Sequence, residues 1–371
     1  MNLSKIPLWM KIVGSFCKRV LNVTVNGLDK ARVYEGHPFN ASFNESASII
    51  LSKEQLENQS LMKKYKYDAL RCYIRWGFTP RDFFLFGFHD ENNTTKLRKT
   101  FVSDCYKDYK LFSKEGSEKY AELFDKSLFL NKVGDEFLGN MGGHILINKQ
   151  VSCQQFVDFA LRYSDLFIKP NSSSYGNGAM TAIIKTADEA KALFAKLKEE
   201  NTDWVVEKRI IQSESLAKWN VSSVNTVRLN TFLTNRGFFV LAPFLRTGRK
   251  GSIVDNGGKG GVYALLDEKC GQILTNGRDE KGGFYIKHPD SGVTFKGEVL
   301  PDWNGLLKTA EKIHREKMAD HIYISWDFAH TTDGWRLIEG NWGQFICQQS
   351  SSHRGFKKSF DEYLKGHAII K

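Results

Sequence analysis

The sequence predicts an α+β protein: a largely helical, basic N-terminal region over residues 1–118, then strands alternating with helices over 119–371. Three observations carry this. Residues 9–21 place Trp9, Ile12, Val13, Phe16, Cys17 and Val20 at helical spacing, and residues 53–78 also read as helix. From about residue 120 short strand-like runs alternate with helical ones. A chain of 371 residues is also too long for one small core, which favours one large two-lobed domain or two domains.

The elements follow in order. ENNTTKLRK (91–99) reads as an exposed connection. DLFIKP (165–170) is a short strand closed by Pro170. Thr186 and Glu189 form a capping box, and the helix behind them carries Ala190, Leu193, Phe194 and Leu197 on one face. DWVVEKRI is a strand, TVRLNTFLT and GFFVLAPFLRT read as a hairpin, and 304–318 is a helix. IYISWDF and WRLIE alternate like two strands joined by a turn at Thr332-Asp333-Gly334.

Composition narrows the class. With 41% hydrophobic and 13% aromatic residues the chain folds. No run of eighteen apolar residues predicts a membrane span. The segment MNLSKIPLWMKIVGSFCKRV is interrupted by Lys11 and has no cleavage signature, so the protein is read as cytosolic. The six cysteines form no C-x-x-C pair, which predicts reduced, mostly buried thiols rather than a zinc site or disulfide framework. Net charge is +11, and residues 1–120 hold 20 Lys and Arg against 13 Asp and Glu. Such a surplus suits nucleic acid, anionic lipid, an acidic glycan or nucleotide phosphates. No zinc finger or RNP signature accompanies it, so nucleic acid is not expected. The helix over 9–21 has Lys11, Lys18 and Arg19 outside its apolar face. It packs on its own protein or, through residues 5–21, touches an anionic membrane.

Candidate chemistry concentrates in three places. Glu339 and Asn341 are two apart in a strand and share a face; Asp327 lies on the polar side of the preceding strand. Pairing the strands converges three oxygen ligands, which suits a hard cation such as Mg²⁺; the other reading is a polar hairpin with solvated carboxylates. Lys169 ends a strand directly before NSSSYGNGAM, whose N–H groups can fold over phosphates with the lysine as a point charge. It is not a Walker A loop. Glu207-Lys208-Arg209-Ile210 ends the next strand, where backbone groups can read an adenine edge, and Glu214 is either a ribose contact or a surface acid.

Taken in order, these motifs resemble the ATP-grasp superfamily over about residues 120–345. SSVNTVRLNTF, FLRTG, VDNGGKGGVYA, HPDSG and WDFAHTTDGWRLIEGN are similar to its sugar-transfer-associated branch. The resemblance implies two α+β subdomains clasping a nucleotide, residues 119–210 and 211–371, with the metal site in the second. It makes Lys132 and Lys169 the phosphate lysines. Ser172, Ser173, Ser174, Gly176 and Gly178 become the closing loop, Glu207, Lys208 and Ile210 the adenine hinge, and Glu214 the ribose contact. Asp327, Glu339 and Asn341 become ligands for two Mg²⁺ ions, with Mn²⁺ as a substitute. Arg228 and Arg246 face phosphate or developing negative charge; Asn256 and Lys259 lie in the loop facing an acyl phosphate. Two positions depart from the pattern: Asn131 stands where an acid often precedes the first lysine, and SSSYGNG is poorer in glycine than usual. The implied activity is an ATP-dependent carboxylate–amine ligase working through an acyl phosphate. It would join an amino acid or uronic acid to an amino-bearing sugar or surface-polysaccharide (capsule) precursor at the inner face of the membrane. A kinase acting on a glycan hydroxyl and a non-catalytic nucleotide- or glycan-binding module are the alternatives.

Overall fold

The computed structural model describes residues 8–34, 37–116, 118–172 and 176–367, and no side chain at 8–12 or 34. Residues 5–7, the side chains of Trp9, Lys11 and Ile12, and Ser173 and Ser174 therefore lie outside the described set.

The N-terminal part is built of helices: α1 (Leu8–Asn26), α2 (Phe39–Ile50), α3 (Lys53–Glu57), α4 (Gln59–Trp76), α5 (Pro80–Leu85), α6 (Thr95–Arg98) and α7 (Asp104–Glu115). A short antiparallel pair, β1 (Arg32–Tyr34) and β2 (His37–Pro38), separates the first two. Ser52, Asn58, Thr79, Thr94 and Ser103 each cap the following helix by accepting a backbone N–H. Inside, Phe39, Phe43, Phe78, Phe83, Phe84, Phe86 and Phe88 form one aromatic core. Rings meet edge-on, as Phe78 and Phe88 do at 5.2 Å. The 91–99 connection contains a helical turn, because Thr94 caps it, and Asn93 is buried with its amide donated to Phe86 and Gly87 carbonyls. Arg19, expected outside the apolar face of α1, is buried: it donates to the Ile74 carbonyl (3.0 Å) and to Ser15 Oγ. Among the described residues no helix is long and apolar enough to cross a membrane. All six cysteines are free thiols; Cys72 is buried, but Cys17 and Cys270 are exposed, against the expectation of mostly buried thiols.

Helix α8 (Lys126–Val133) leads into a four-stranded antiparallel sheet of β3 (His144–Ile147), β4 (Asp165–Pro170), β5 (Met180–Ile183) and β6 (Trp204–Lys208), ordered β3-β6-β4-β5. Helices α9 (Cys153–Tyr163) and α10 (Ala187–Glu199) bury Phe156, Val157, Ala190 and Leu197 against it; both open with capping boxes, the second the Thr186/Glu189 pair.

After the short α11 (Glu214–Ala217) comes a seven-stranded antiparallel sheet. Its members are β7 (Thr226–Thr234), β8 (Gly237–Thr247), β9 (Val262–Leu265), β10 (Gly277–Arg278), β11 (Phe284–Tyr285), β12 (Tyr323–Thr331) and β13 (Gly334–Asn341). Their order is β11-β10-β9-β8-β7-β12-β13. Helix α12 (Trp303–Lys317) covers the core face; α13 (Ile346–Ser352) and α14 (Lys357–Tyr363) close the chain. The N-terminal helices lean on this end: Gln349 exchanges two hydrogen bonds with the Val102 backbone (2.7 and 2.9 Å), and Trp342 Nε1 donates to Asp108 (2.7 Å).

The β12–β13 ladder carries a bulge. Asp327 pairs with Glu339 but Phe328 with Leu337, so Ile338 is left out of the pairing. Buried positions on β13 accordingly shift from Trp335 and Leu337 to Gly340.

Strand β12 is pinned to α12 by a buried relay. Trp326 Nε1 donates to Thr231 Oγ1 (2.7 Å), that hydroxyl donates to His314 Nδ1 (2.9 Å), and His314 Nε2 donates to the His321 carbonyl (2.9 Å). The relay needs neutral imidazole, and burial lowers the His314 pKa from 6.5 to about 3. The folded state resists a proton that the unfolded chain accepts, so this contribution is complete above pH 6.5 and is lost as pH falls toward 3. Urea unfolding across that window should show stability falling with pH in the wild type and a shallower slope in His314→Gln.

Candidate functional site

Between the two large sheets lies a cavity of about 570 Å³. Its seven-stranded wall is built around Asp327. Arg228, its cross-strand partner on β7, forms a bidentate pair with it at 2.6 and 2.5 Å. Arg246 of β8 adds a bond at 3.1 Å and also reaches Asp255 (2.9 Å) and Thr226 Oγ1 (3.0 Å). Thr226 in turn donates its N–H and hydroxyl to Asp255. Asp327 is 1% exposed. Burial alone would raise its pKa, but the two guanidiniums outweigh it and hold the carboxyl below its usual value. Asp255 lies on the other side of that balance: burial pushes it up.

Glu339 and Asn341 stand beside Asp327. Asn341 Nδ2 donates to Glu339 Oε1 (3.2 Å) and Asp327 Oδ2 (3.3 Å), so the structure brings this predicted trio together. With the Asn341 amide turned to present its oxygen, two carboxylates and an amide make an all-oxygen donor set, the kind a hard divalent cation takes.

The four-stranded wall supplies Lys169 and Glu207. Their side chains pair at 2.5 Å, and Asn140 Nδ2 donates to the other Glu207 oxygen (2.7 Å). The Glu207 carboxylate thus anchors a lysine inside the cleft, while its strand continues into residues 208–212, which line the rim. Burial disfavours the Lys169 charge, yet Glu207 and Glu339 outweigh it and raise its pKa. Gly176, Asn177 and Ala179 line the cavity; Ser172 is exposed outside the lining, as is the neighbouring Gly178. A Cβ on Gly176 would stand 3.0 Å from Asn256 Oδ1, so this loop touches the 254–261 loop across the cleft.

Lys132 does not reach the site. It pairs with Glu122 (2.6 Å) and Asp320 (3.6 Å) on another face of α8. Lys126 lines the cavity instead: six residues apart, the two point about 120° apart around the helix, onto different faces. Burial lowers the Lys126 pKa. Glu214 is exposed on α11, and Lys259 is exposed beyond Asn256, Gly257 and Gly258; neither lines the cavity. Sequence reasoning also missed Asp255, Asn140, Glu280 and Cys347. Asp255 sits inside the quoted VDNGGKGG string, and Lys126 opens the helix that carries FLNK; those were the available signals. The Cys347 thiol is pushed up to about 12, chiefly by burial.

A family model described as sugar-transfer associated ATP-grasp matches residues 108–359, well over half the chain. The chain belongs to that family. Its fold is therefore ATP-grasp, with the α+β architecture described above. No curated protein matches the sequence. Among solved structures, D-alanyl-alanine synthetase A from Vibrio cholerae is similar over 69% of this chain at 14% identity, TM-score 0.39. This chain covers 64% of that protein's length. D-alanine–D-alanine ligase from Bacillus anthracis aligns over 67% of this chain and 68% of its own at 13% identity, TM-score 0.40. D-cycloserine synthetase DcsG aligns over 66% and 71% at 12% identity, TM-score 0.40.

The paired arginines make Asp327 a structural residue of this ATP-grasp protein whatever else it binds. Asp327→Asn leaves buried guanidinium charge uncompensated and should lower unfolding free energy by about 3–5 kcal/mol. Glu339→Gln keeps the oxygen that accepts from Asn341 and should change it by less than about 1 kcal/mol. Urea titration of both variants measures the contrast.

Proposed function

We propose that this protein is an ATP-dependent carboxylate–amine ligase that activates an acid as its acyl phosphate and passes the acyl group to an amine. The observation that carries the reading is the meeting of Asp327, Glu339 and Asn341 with Lys126, Lys169, Arg228 and Arg246 in one cavity. Phosphoryl transfer needs positioning and charge neutralisation rather than a protein nucleophile, and this cavity is rich in both.

In this reading Lys126 and Lys169 hold phosphate oxygens, and the segment around Gly176 closes over them. Backbone groups of residues 208–211 take the adenine edge. Asp327, Glu339 and Asn341 would hold Mg²⁺, which supplies charge neutralisation at the β- and γ-phosphates. Charge supports a pair of ions: as many acidic as basic side chains line the cavity, and fully ionised ATP carrying two Mg²⁺ is itself neutral. The acid's carboxylate attacks the γ-phosphorus and ADP leaves. The amine then attacks the acyl carbon, the C–O bond to phosphate breaks, and the nitrogen loses its proton. Arg246 and Arg228 would offset the oxyanion, a contribution of about 3–4 kcal/mol for one well-placed donor. The family's association with sugar transfer supports an amino-bearing sugar or surface-polysaccharide precursor as acceptor and an amino acid or uronic acid as donor.

Place is the second part of the reading. Helix α1 turns Ser15 and Arg19 inward and leaves Val13, Phe16, Leu21 and Val25 between 41% and 70% exposed, with Lys18 exposed beside them. An outward face that is apolar and basic supports peripheral contact with an anionic membrane.

Purified protein should show a thermal shift with millimolar Mg·ATP, larger than with Mg·GTP. In the presence of candidate acids and amino sugars it should release inorganic phosphate together with a new amide. Phosphate retained on the acceptor would make it a kinase instead. Glu339→Gln should fold normally and lose turnover by orders of magnitude; full activity in that variant would displace the metal site. Vesicles containing phosphatidylserine should co-sediment the protein at low salt, and Leu21→Glu with Val25→Glu should abolish it; no binding at low salt ends the membrane reading.

A further inference from the structure

Two basic side chains that precede residue 108, where the family match begins, reach the edge of the cleft from the N-terminal helices. Lys107, 1% exposed, lies 4.8 Å from the Trp342 ring and donates to the Gly343 carbonyl, two residues beyond Asn341. Arg81 is the more telling. It stands on α5, whose start is fixed by the reciprocal Thr79–Asp82 capping box and whose Phe84 packs 5.3 Å from Phe43. From this rigid base it forms an ion pair with Glu280, a residue of the cavity wall; the two side chains are 16% and 23% exposed.

Glu280 supports the 254–261 loop, whose first residues line the cavity. A Cβ on Gly257 would come 2.4 Å from Glu280 Oε1, so the carboxylate lies flush against that backbone. The loop is otherwise held by few bonds of its own. Lys259 and Gly261 N–H donate to the Asn256 carbonyl and Gly260 N–H to that of Gly257. Glu280 lines the same cavity as Arg228 and Arg246. Without Arg81, the Glu280 carboxylate would be drawn toward those arginines, and Gly257 would lose its floor.

We propose that Arg81 is a positioning residue of the active site: through Glu280 it holds the Asn256–Gly261 loop in place, so the N-terminal helices form part of the substrate-binding apparatus. The functional meaning of that loop rests on the ligase reading; its mechanical coupling to Arg81 does not.

Hydrogen exchange of peptides covering residues 254–262 tests the coupling. Arg81→Glu and Glu280→Arg should each speed exchange of the Lys259, Gly260 and Gly261 amides by about tenfold, and the double variant should return it to within about twofold of wild type. Arg81→Met, which keeps the stem packed and replaces the charge reversal where that disturbs folding, should also speed exchange by about tenfold, and Arg81→Lys should preserve protection. Unchanged exchange in the single variants, or a double variant no better than either, overturns the proposal. A Mg·ATP thermal shift on the same samples is read separately. Its absence in the wild type would count against the ligase reading while leaving the loop result intact.

Discussion

A carboxylate with almost no access to water, Asp327, sets terms for the structure around it. Left alone there it would be costly, and the cost falls only if cations are brought to it in good geometry. Arg228 and Arg246 do this from neighbouring strands, which requires β7 to lie between β8 and β12. Arg246 then needs a partner for its remaining capacity, which Asp255 and Thr226 provide. Fixing Asp255 fixes the start of the 254–261 loop. One buried charge thus ties β12, β7, β8 and the 254–261 loop together.

The cleft is accordingly a set of charges already matched. Lys169 holds Glu207, Arg228 holds Asp327, Arg246 bridges two acids, and Asn341 leans on two. An incoming polyanion with its cations therefore exchanges partners within a network instead of entering a site of one sign. Such exchange keeps the members of this network paired before and after, which is the condition for rigidity in a polar interior.

Much of this was legible in the chain. Period-two alternation put Glu339 and Asn341 together, and the Thr186/Glu189 box opened its helix as read. What the sequence concealed has physical reasons. Lys126 and Lys132 share one helix, and only its packing decides which faces the cleft; Glu122 and Asp320 take the second. The partner of Glu207 lies on another strand, and Arg19 looked like a solvated charge until Ser15 and the Ile74 carbonyl claimed it. Propensity says nothing about such long-range partners. Residues 91–99 looked like a loop because one capped turn is too short to leave a periodic signal.

The bulge at Ile338 acts as a phase shifter. Before it, Trp335 and Leu337 send odd-numbered side chains into the core; after it, odd-numbered Glu339 and Asn341 face the cleft. A regular strand has no such freedom, since residues two apart share a face along its whole length. One extra residue lets a single strand carry core and ligands on the same parity. Deleting Ile338 would restore a regular ladder in which Leu337 and Glu339 are adjacent, the leucine still in the core and the carboxylate still in the cleft. The bulge is thus the one position of β13 where a residue can be lost without a change of face; losing any paired residue of the strand moves the side chains beyond it to the wrong side.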